Sequence, residues 1–423
     1  MRSVLLHLFI GLFVFSANSQ EKLEEASPES VGISSERLGK ISAMLEAQVE
    51  NKNIPGAVAL IARDGKIVLY EAFGDANIQG EDLEKDDIFR IASQTKAITA
   101  TAVMILWEEG KLRLDDPVSK YIPEFKDPVI LESFNEKDSS YTTKPAASPI
   151  TIRSLLTHTS GIGYGMIDGD DRFKKIYAKS GITDLFTTEA VEIGENIKKL
   201  ATLPLHHEPF EKWTYSEGYD VLGYLVEVIS GRNFDEFLKL KLFDPLNMND
   251  TYFYLPQEKE DRLVQIMKKA DNKWVEFGGE EGYDPEYPIK GAKAFFSGGA
   301  GLSSTALDYA KFLQMYLNKG SYNGNQILSP NTVKMIMANH SGDLFNGPES
   351  YYGLAFGVLT EIGEDKGGLG SEGTFEWGGY FNTQYFADPE TKIIGILLKQ
   401  TRGPLDDQSA WKFRQMTFSS IID

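Results

Sequence analysis

Ile91-Ala92-Ser93-Gln94-Thr95-Lys96 runs without a break into a largely apolar stretch that carries Ile98, Ala102, Met104 and Ile105 and stops at Gly110. The spacing predicts a mostly buried helix from Ser93 to Glu109. A serine and a lysine three apart at a helix start share one face, a single turn apart. The helix dipole and its free N–H groups favour negative charge developing near Ser93. A lysine amine can accept a proton only if desolvation or a nearby cation lowers its pKa from about 10.4. Ile88, Phe89, Ile91, Ala97, Ile98 and Ala100 would supply that burial. The S-x-x-K spacing alone says little, since about one or two matches are expected by chance in a chain this long. A second one, Ser409-Ala410-Trp411-Lys412, sits in a charged C-terminal helix and reads as coincidence.

Outward from this segment, strands gather at the two ends of the chain and helices in the middle. Ser34 or Ser35 can cap a helix toward Asn51, with Leu38, Ile41, Leu45 and Val49 at helical spacing. Ala57–Ala62 and Ile67–Ala72 flank Asp64-Gly65, a strong hairpin signal. The polar stretch 126–149 reads as a long surface loop. Helical spacing recurs over 152–157, 189–201, 218–229, 234–240, 307–317 and 332–337. Strands return at 354–360, 384–387 and 393–399, before a terminal helix from Ser409 toward Ile421. The economical fold is α/β: an antiparallel sheet built from both chain ends and flanked by helices, with an inserted mainly helical lobe. The α/β lobe would take about 20–115 and 290–423, and the helical lobe about 116–289, in a single catalytic domain spanning 20–423. The cleft between lobes is the natural place for a site.

Composition narrows the function. The 423 residues carry a formal net charge of −19, with 42% hydrophobic and 25% charged residues. Such a surface repels phosphate backbones, and no Lys/Arg run offsets it, so no nucleic-acid partner is expected. With no cysteine, disulfides, thiolate metal sites and a cysteine nucleophile are excluded. Residues 1–19 have the form of a signal peptide: Arg2, an apolar run from Val4 to Phe15, then Ala17 and Ser19 before Gln20. The apolar run is too short to span a bilayer comfortably. An exported protein, periplasmic or secreted, with no membrane span after signal removal is expected. No G-x-S-x-G, H-E-x-x-H, Walker A or Rossmann pattern occurs, and no cofactor or metal is implied. His158 and Ser160 lie two apart at a helix end and would not face each other, and the adjacent side chains of His206-His207-Glu208 diverge.

The segment around Ser93 resembles the active-site segment of the serine β-lactamase superfamily. The likeness continues through Leu114-Asp115-Asp116-Pro117, Ser154–Gly161, Trp213-Thr214-Tyr215-Ser216, Phe243–Met248, Ser297–Leu302 and Trp377-Gly378-Gly379. The resemblance implies an acyl-enzyme on Ser93, with Lys96 and Tyr215 sharing the acid and base work. The backbone N–H groups of Ser93 and Tyr380 would form the oxyanion hole. Trp377, Gly378, Gly379 and Glu217 would border the substrate. Two departures bear on specificity. β-Lactamases and peptidases of this group usually carry Y-x-N, where this chain has Tyr215-Ser216-Glu217. They also carry K-T-G or H-x-G, where it has Trp377-Gly378-Gly379. Replacing a cation by indole, and an amide by a carboxylate, removes the reception a β-lactam carboxylate needs. Trp-Gly-Gly is similar to the pattern of family VIII carboxylesterases and related acyltransferases. The expectation is therefore a carboxylesterase acting on a small neutral ester. A β-lactamase, a D-amino-acid peptidase or acyltransferase, and a non-catalytic sensing relative stand as alternatives, and oligomeric state is left open.

Overall fold

The computed structural model describes residues 22–280, 282–367, 369–403 and 406–423. The signal-like segment 1–19 lies outside the described residues. Strands β1 (Glu24–Glu25), β2 (Gly56–Arg63) and β3 (Lys66–Gly74) come from the N-terminal end. Strands β4 (Ser350–Tyr352), β5 (Gly357–Leu359), β6 (Phe375–Gly379), β7 (Thr383–Asp388) and β8 (Ile393–Leu398) come from the C-terminal end. They form one sheet in the order β1-β3-β2-β8-β7-β6-β5-β4. β1 pairs parallel to β3, and every other pairing is antiparallel. The β2–β3 turn puts Asp64 at φ 50° and Gly65 at φ 76°, matching the twist of the flanking strands.

β2 and β8 are central and covered on both faces, so they read as continuous apolar runs rather than alternating ones. Ile394, Ile396 and Leu398 point into the inner core. Ile393 and Leu397 point into an outer layer with Leu38, Ile41 and Leu45 of helix α1 (Ser35–Glu50) and with Phe413 of the C-terminal helix. The Ser34 hydroxyl caps α1 by accepting from Arg37 N–H. The inner core is organised on α2 (Thr95–Glu108), in which every residue from Thr95 to Leu106 is buried. α2 packs against α3 (Gly218–Ser230) and, across the core, α4 (Ala306–Leu317) packs on the sheet. The mixed α/β fold with an antiparallel sheet from both chain ends is thus the one the sequence implied.

Three segments differ from expectation. The stretch 126–149 is not all loop: Val129–Phe134 and Tyr141–Pro145 form a hairpin. Tyr141–Pro145 is exposed at every position, so it never needed an apolar alternation that the sequence could display. A further hairpin, Met267–Ala270 with Lys273–Glu276, is joined in parallel by Thr401–Arg402. β6 had no sequence signal, because two of its five residues are glycine, yet it pairs with β7 along its whole length.

Candidate active site

Ala92–Gln94 form one 3-10 turn that runs directly into α2, so Ser93 and Lys96 share a face as the spacing requires. Ala92 sits at φ 45°, a left-handed conformation that costs a residue with a Cβ about 1–2 kcal/mol. The end of β6 presses against this turn. A Cβ on Gly379 would collide with the Ile91 carbonyl and Thr383 Oγ1, so only glycine lets the strand approach so closely. The backbone that continues into Tyr380 is thereby brought alongside the turn that carries Ser93.

Lys96 is 1% exposed. Its Nζ donates to Gly299 O at 2.8 Å, Tyr164 Oη at 2.9 Å and Ser93 Oγ at 3.4 Å. A buried amino group is tolerated only when its polar atoms are satisfied, and here Tyr164 and Gly299, from two distant segments, join Ser93 of the same helix turn. Tyr164 was not singled out by sequence reasoning. The available signal was its place in Gly161-Ile162-Gly163-Tyr164-Gly165, an aromatic among glycines after the helix stop. Burial pushes the Tyr164 phenol well above its ordinary range, with the neighbouring Tyr215, Asp184 and Asp220 adding to the rise. It therefore stays protonated and accepts from Nζ.

Tyr215 is half-buried and meets Lys96 through its ring, with Nζ 4.6 Å from the centroid, a cation–π contact. It stacks on Tyr164 with centroids 5.1 Å apart. Its hydroxyl has no hydrogen-bond partner among the described residues.

Asp220, 2% exposed on the first turn of α3, organises the other side. Oδ1 accepts from Ser297 Oγ at 2.8 Å and Gly299 N at 2.7 Å. It therefore holds the turn whose carbonyl receives Lys96. Burial raises its carboxyl to about 6, against the lowering effect of those two bonds and of Lys96.

An aromatic wall flanks Tyr215. Trp377 lies 5.9 Å from it, Trp213 5.9 Å, and Phe345 and Tyr352 complete the group. His158 packs inside this wall, fully buried, 4.7 Å from the Tyr215 ring. Its Nδ1 accepts from Ser216 N at 3.3 Å. Burial first, then Lys96, holds its pKa well below the usual value, so it is a neutral packing partner. Trp377 also borders a cavity of about 340 Å³ with Phe345, Gly357 and Val358. Gly378 lies opposite Gln384 in the ladder. At the rim, the Tyr380 hydroxyl donates to Glu280, which also receives Arg402 Nη2 at 2.9 Å, and the guanidinium lies 4.2 Å from the Tyr380 ring. Glu217 is 2% exposed, and it and Asp184 both border Gly165.

The other candidate clusters dissolve. His206 bonds Asp168, His207 bonds Thr214, and Glu208 accepts from Ala147 N. Ser409 of the second S-x-x-K faces Lys399 and Asp407 rather than Lys412, and is fully buried. No group of residues suited to a metal ion occurs among the described residues. No helix among them is long and apolar enough to cross a membrane.

A Ser–Lys pair at the head of a buried helix, facing the edge of an antiparallel sheet assembled from both chain ends, defines a hydrolase of the beta-lactamase fold. The comparisons agree: the beta-lactamase family model matches residues 41–416, and the chain belongs to that family. Protein Rv1367c of Mycobacterium tuberculosis is 31% identical over 82% of this chain and 86% of its own. Esterase EstB of Burkholderia gladioli is 29% identical over 86% of this chain and 90% of its own. Among solved structures, EstCE1, a hydrolase with promiscuous acyltransferase activity, superposes with a TM-score of 0.77. It is 26% identical and covers 90% of this chain and 99% of its own.

Proposed function

We propose that the protein hydrolyses small neutral carboxylic esters through an acyl-enzyme on Ser93. The observation that carries this reading is the Lys96 Nζ contact to Ser93 Oγ at 3.4 Å, with Nζ fixed from behind by Tyr164 and Gly299. Lys96 in its amine form takes the proton as Ser93 Oγ bonds to the ester carbonyl carbon. The carbonyl electron pair moves onto oxygen, facing the N–H groups of Ser93 and Tyr380. When the pair returns, the C–O bond to the alcohol breaks, and the proton reaches the departing alkoxide through the Tyr215 hydroxyl. Water then repeats the sequence on the acyl-enzyme, releasing the acid and freeing Ser93. The Tyr215 ring beside Lys96 Nζ, with a hydroxyl that meets no hydrogen-bond partner among the described residues, supports that role.

The aromatic wall of Trp213, Tyr215, Phe345, Tyr352 and Trp377 supports an apolar rather than anionic group beside the reacting carbonyl. Esterase relatives such as EstB lend the same weight. The signal-like N-terminus supports an exported enzyme.

The test is turnover of short-chain p-nitrophenyl esters and of nitrocefin by the mature protein, beside Ser93→Ala. Ester hydrolysis that disappears in the variant is expected. Strong nitrocefin turnover with feeble ester turnover would move the protein to the β-lactamases, and an active Ser93→Ala would remove Ser93 as nucleophile.

A further inference from the structure

Glu217 stands two residues after Tyr215, and Gly165 one residue after Tyr164. Between them two buried carboxyl groups meet. A Cβ on Gly165 would collide with the Asp184 carboxylate and lie 2.9 Å from Glu217 Oε1, so both acids converge on the same glycine. Asp184 Oδ2 accepts from Met166 N at 2.9 Å and Tyr283 Oη at 3.1 Å. Asp184 Oδ1 and Glu217 Oε1 are both buried and receive no N–H or O–H from the other described residues. Two carboxylates left in that state would repel in a site closed to water, and each would carry an unmet acceptor. A single proton between them removes both penalties. It belongs on Glu217, because Asp184 already accepts two donors and is the better-stabilised anion.

We infer that Glu217 is a protonated positioning residue whose O–H donates to Asp184, clamping the segment that carries Tyr215 to the one that carries Tyr164. Asp184 in turn holds the Gly165–Ile167 turn through Met166 N, and Glu217 N donates to Gly163 O at 3.0 Å. The clamp therefore sets the spacing of the two phenols around Lys96. It also accounts for the acid found where related enzymes have an amide: a neutral carboxyl presents a donor and brings no charge toward the substrate.

The charged and titratable surroundings favour that proton. Burial comes first in raising Glu217, followed by Asp184, Asp220 and Asp168. Burial raises Asp184 as well, but there it is opposed by Glu217, Met166 N, the Tyr283 phenol and Lys96, each of which lowers it. Tyr164 and Tyr177 are buried phenols alongside, His206 sits on Asp168, and Lys174 and Glu189 border the cavity of about 240 Å³ beyond Asp184.

The inference rests on the hydrolase reading for its effect on rate, but its stability arm stands without it. Glu217→Gln keeps a donor to Asp184 at every pH, and Glu217→Ala removes it. The expected result is that Glu217→Ala loses about tenfold or more in ester kcat/KM, that Glu217→Gln restores it, and that the alkaline decline of the wild type moves to higher pH in Glu217→Gln. A group raised in the folded state stabilises fully below its unfolded value, 4.5 for this glutamate, and loses that contribution as pH rises toward its folded value. Urea unfolding should therefore show Glu217→Gln gaining on the wild type as pH rises above 4.5. Should Glu217→Ala fail to fold, the wild type and Glu217→Gln still give both comparisons. A Glu217→Gln protein as impaired as Glu217→Ala would mean that a carboxylate is required and overturn the inference. So would a stability profile parallel to the wild type. No ester turnover by any form, with the stability difference present, would sink the hydrolase reading and leave the clamp.

Discussion

Replacing Tyr164 by Phe removes one atom from the site and leaves its packing. The ring still stacks on Tyr215 at 5.1 Å, while Lys96 Nζ loses the 2.9 Å bond to Oη and keeps Gly299 O and Ser93 Oγ. A hydrogen bond to a charged group is worth about 1.5–3 kcal/mol. If that bond fixes Nζ for proton transfer, its loss lowers kcat/KM by about 10- to 100-fold. The loss should fall mainly on kcat, because Tyr164 acts through Lys96 and is buried away from substrate. The assay is p-nitrophenyl butyrate turnover by the wild type, Tyr164→Phe and Tyr215→Phe, with thermal unfolding of each. Tyr215, if it carries the proton as proposed, should cost more when changed, about 10²- to 10⁴-fold. A Tyr164→Phe enzyme within twofold of the wild type would refute the positioning argument. A ranking with Tyr164→Phe as the more damaged variant would transfer the proton-carrying role to Tyr164.

Asp220 gives a linkage prediction. Its carboxyl is raised from 3.8 to about 6 by burial, so its contribution to stability is fully present below 3.8 and lost as pH rises through about 6. Between those limits Asp220→Asn should gain about 3 kcal/mol relative to the wild type, read by urea unfolding at several pH values; a constant difference would show that Asp220 does not titrate in this range. Gly379→Ala should push β6 away from the Ile91–Ser93 turn, lowering ester kcat/KM by about tenfold or more. Its thermal midpoint should also fall, and unchanged kinetics would mean that the approach of β6 does not set the site.

Part of this protein was legible in its sequence because the information is local. Ser93 and Lys96 are three residues apart on a buried helix, so their meeting follows from helix geometry and needs no fold. The Asp64-Gly65 turn and the apolar runs on either side specify a hairpin by themselves. The helices 218–229 and 307–317 were legible from their spacing and agree with the structure almost to the residue. Strand β6 and the hairpin over Val129–Pro145 were not. A strand with glycines, or one fully exposed, gains its order from its partner and carries little pattern of its own.

The rest of the site belongs to the tertiary structure alone. Tyr164 and Gly299 reach Lys96 from 68 and 203 residues away in sequence, and Asp220 holds Gly299 across 79. The glycines around Tyr164 and the glycine-rich turn at Gly299 mark their surroundings, but nothing in the local sequence shows that these residues meet Lys96. Glu217 shows the limit from the other side: its position beside Tyr215 marked it as a site residue, but an isolated glutamate is an anion at neutral pH. Only its enclosure with Asp184, away from water, makes the neutral form the stable one. Sequence determined which groups could react, because covalent neighbours share a helix turn. The fold decided which of them meet and in what protonation state, because both depend on distance through space and on exclusion of solvent.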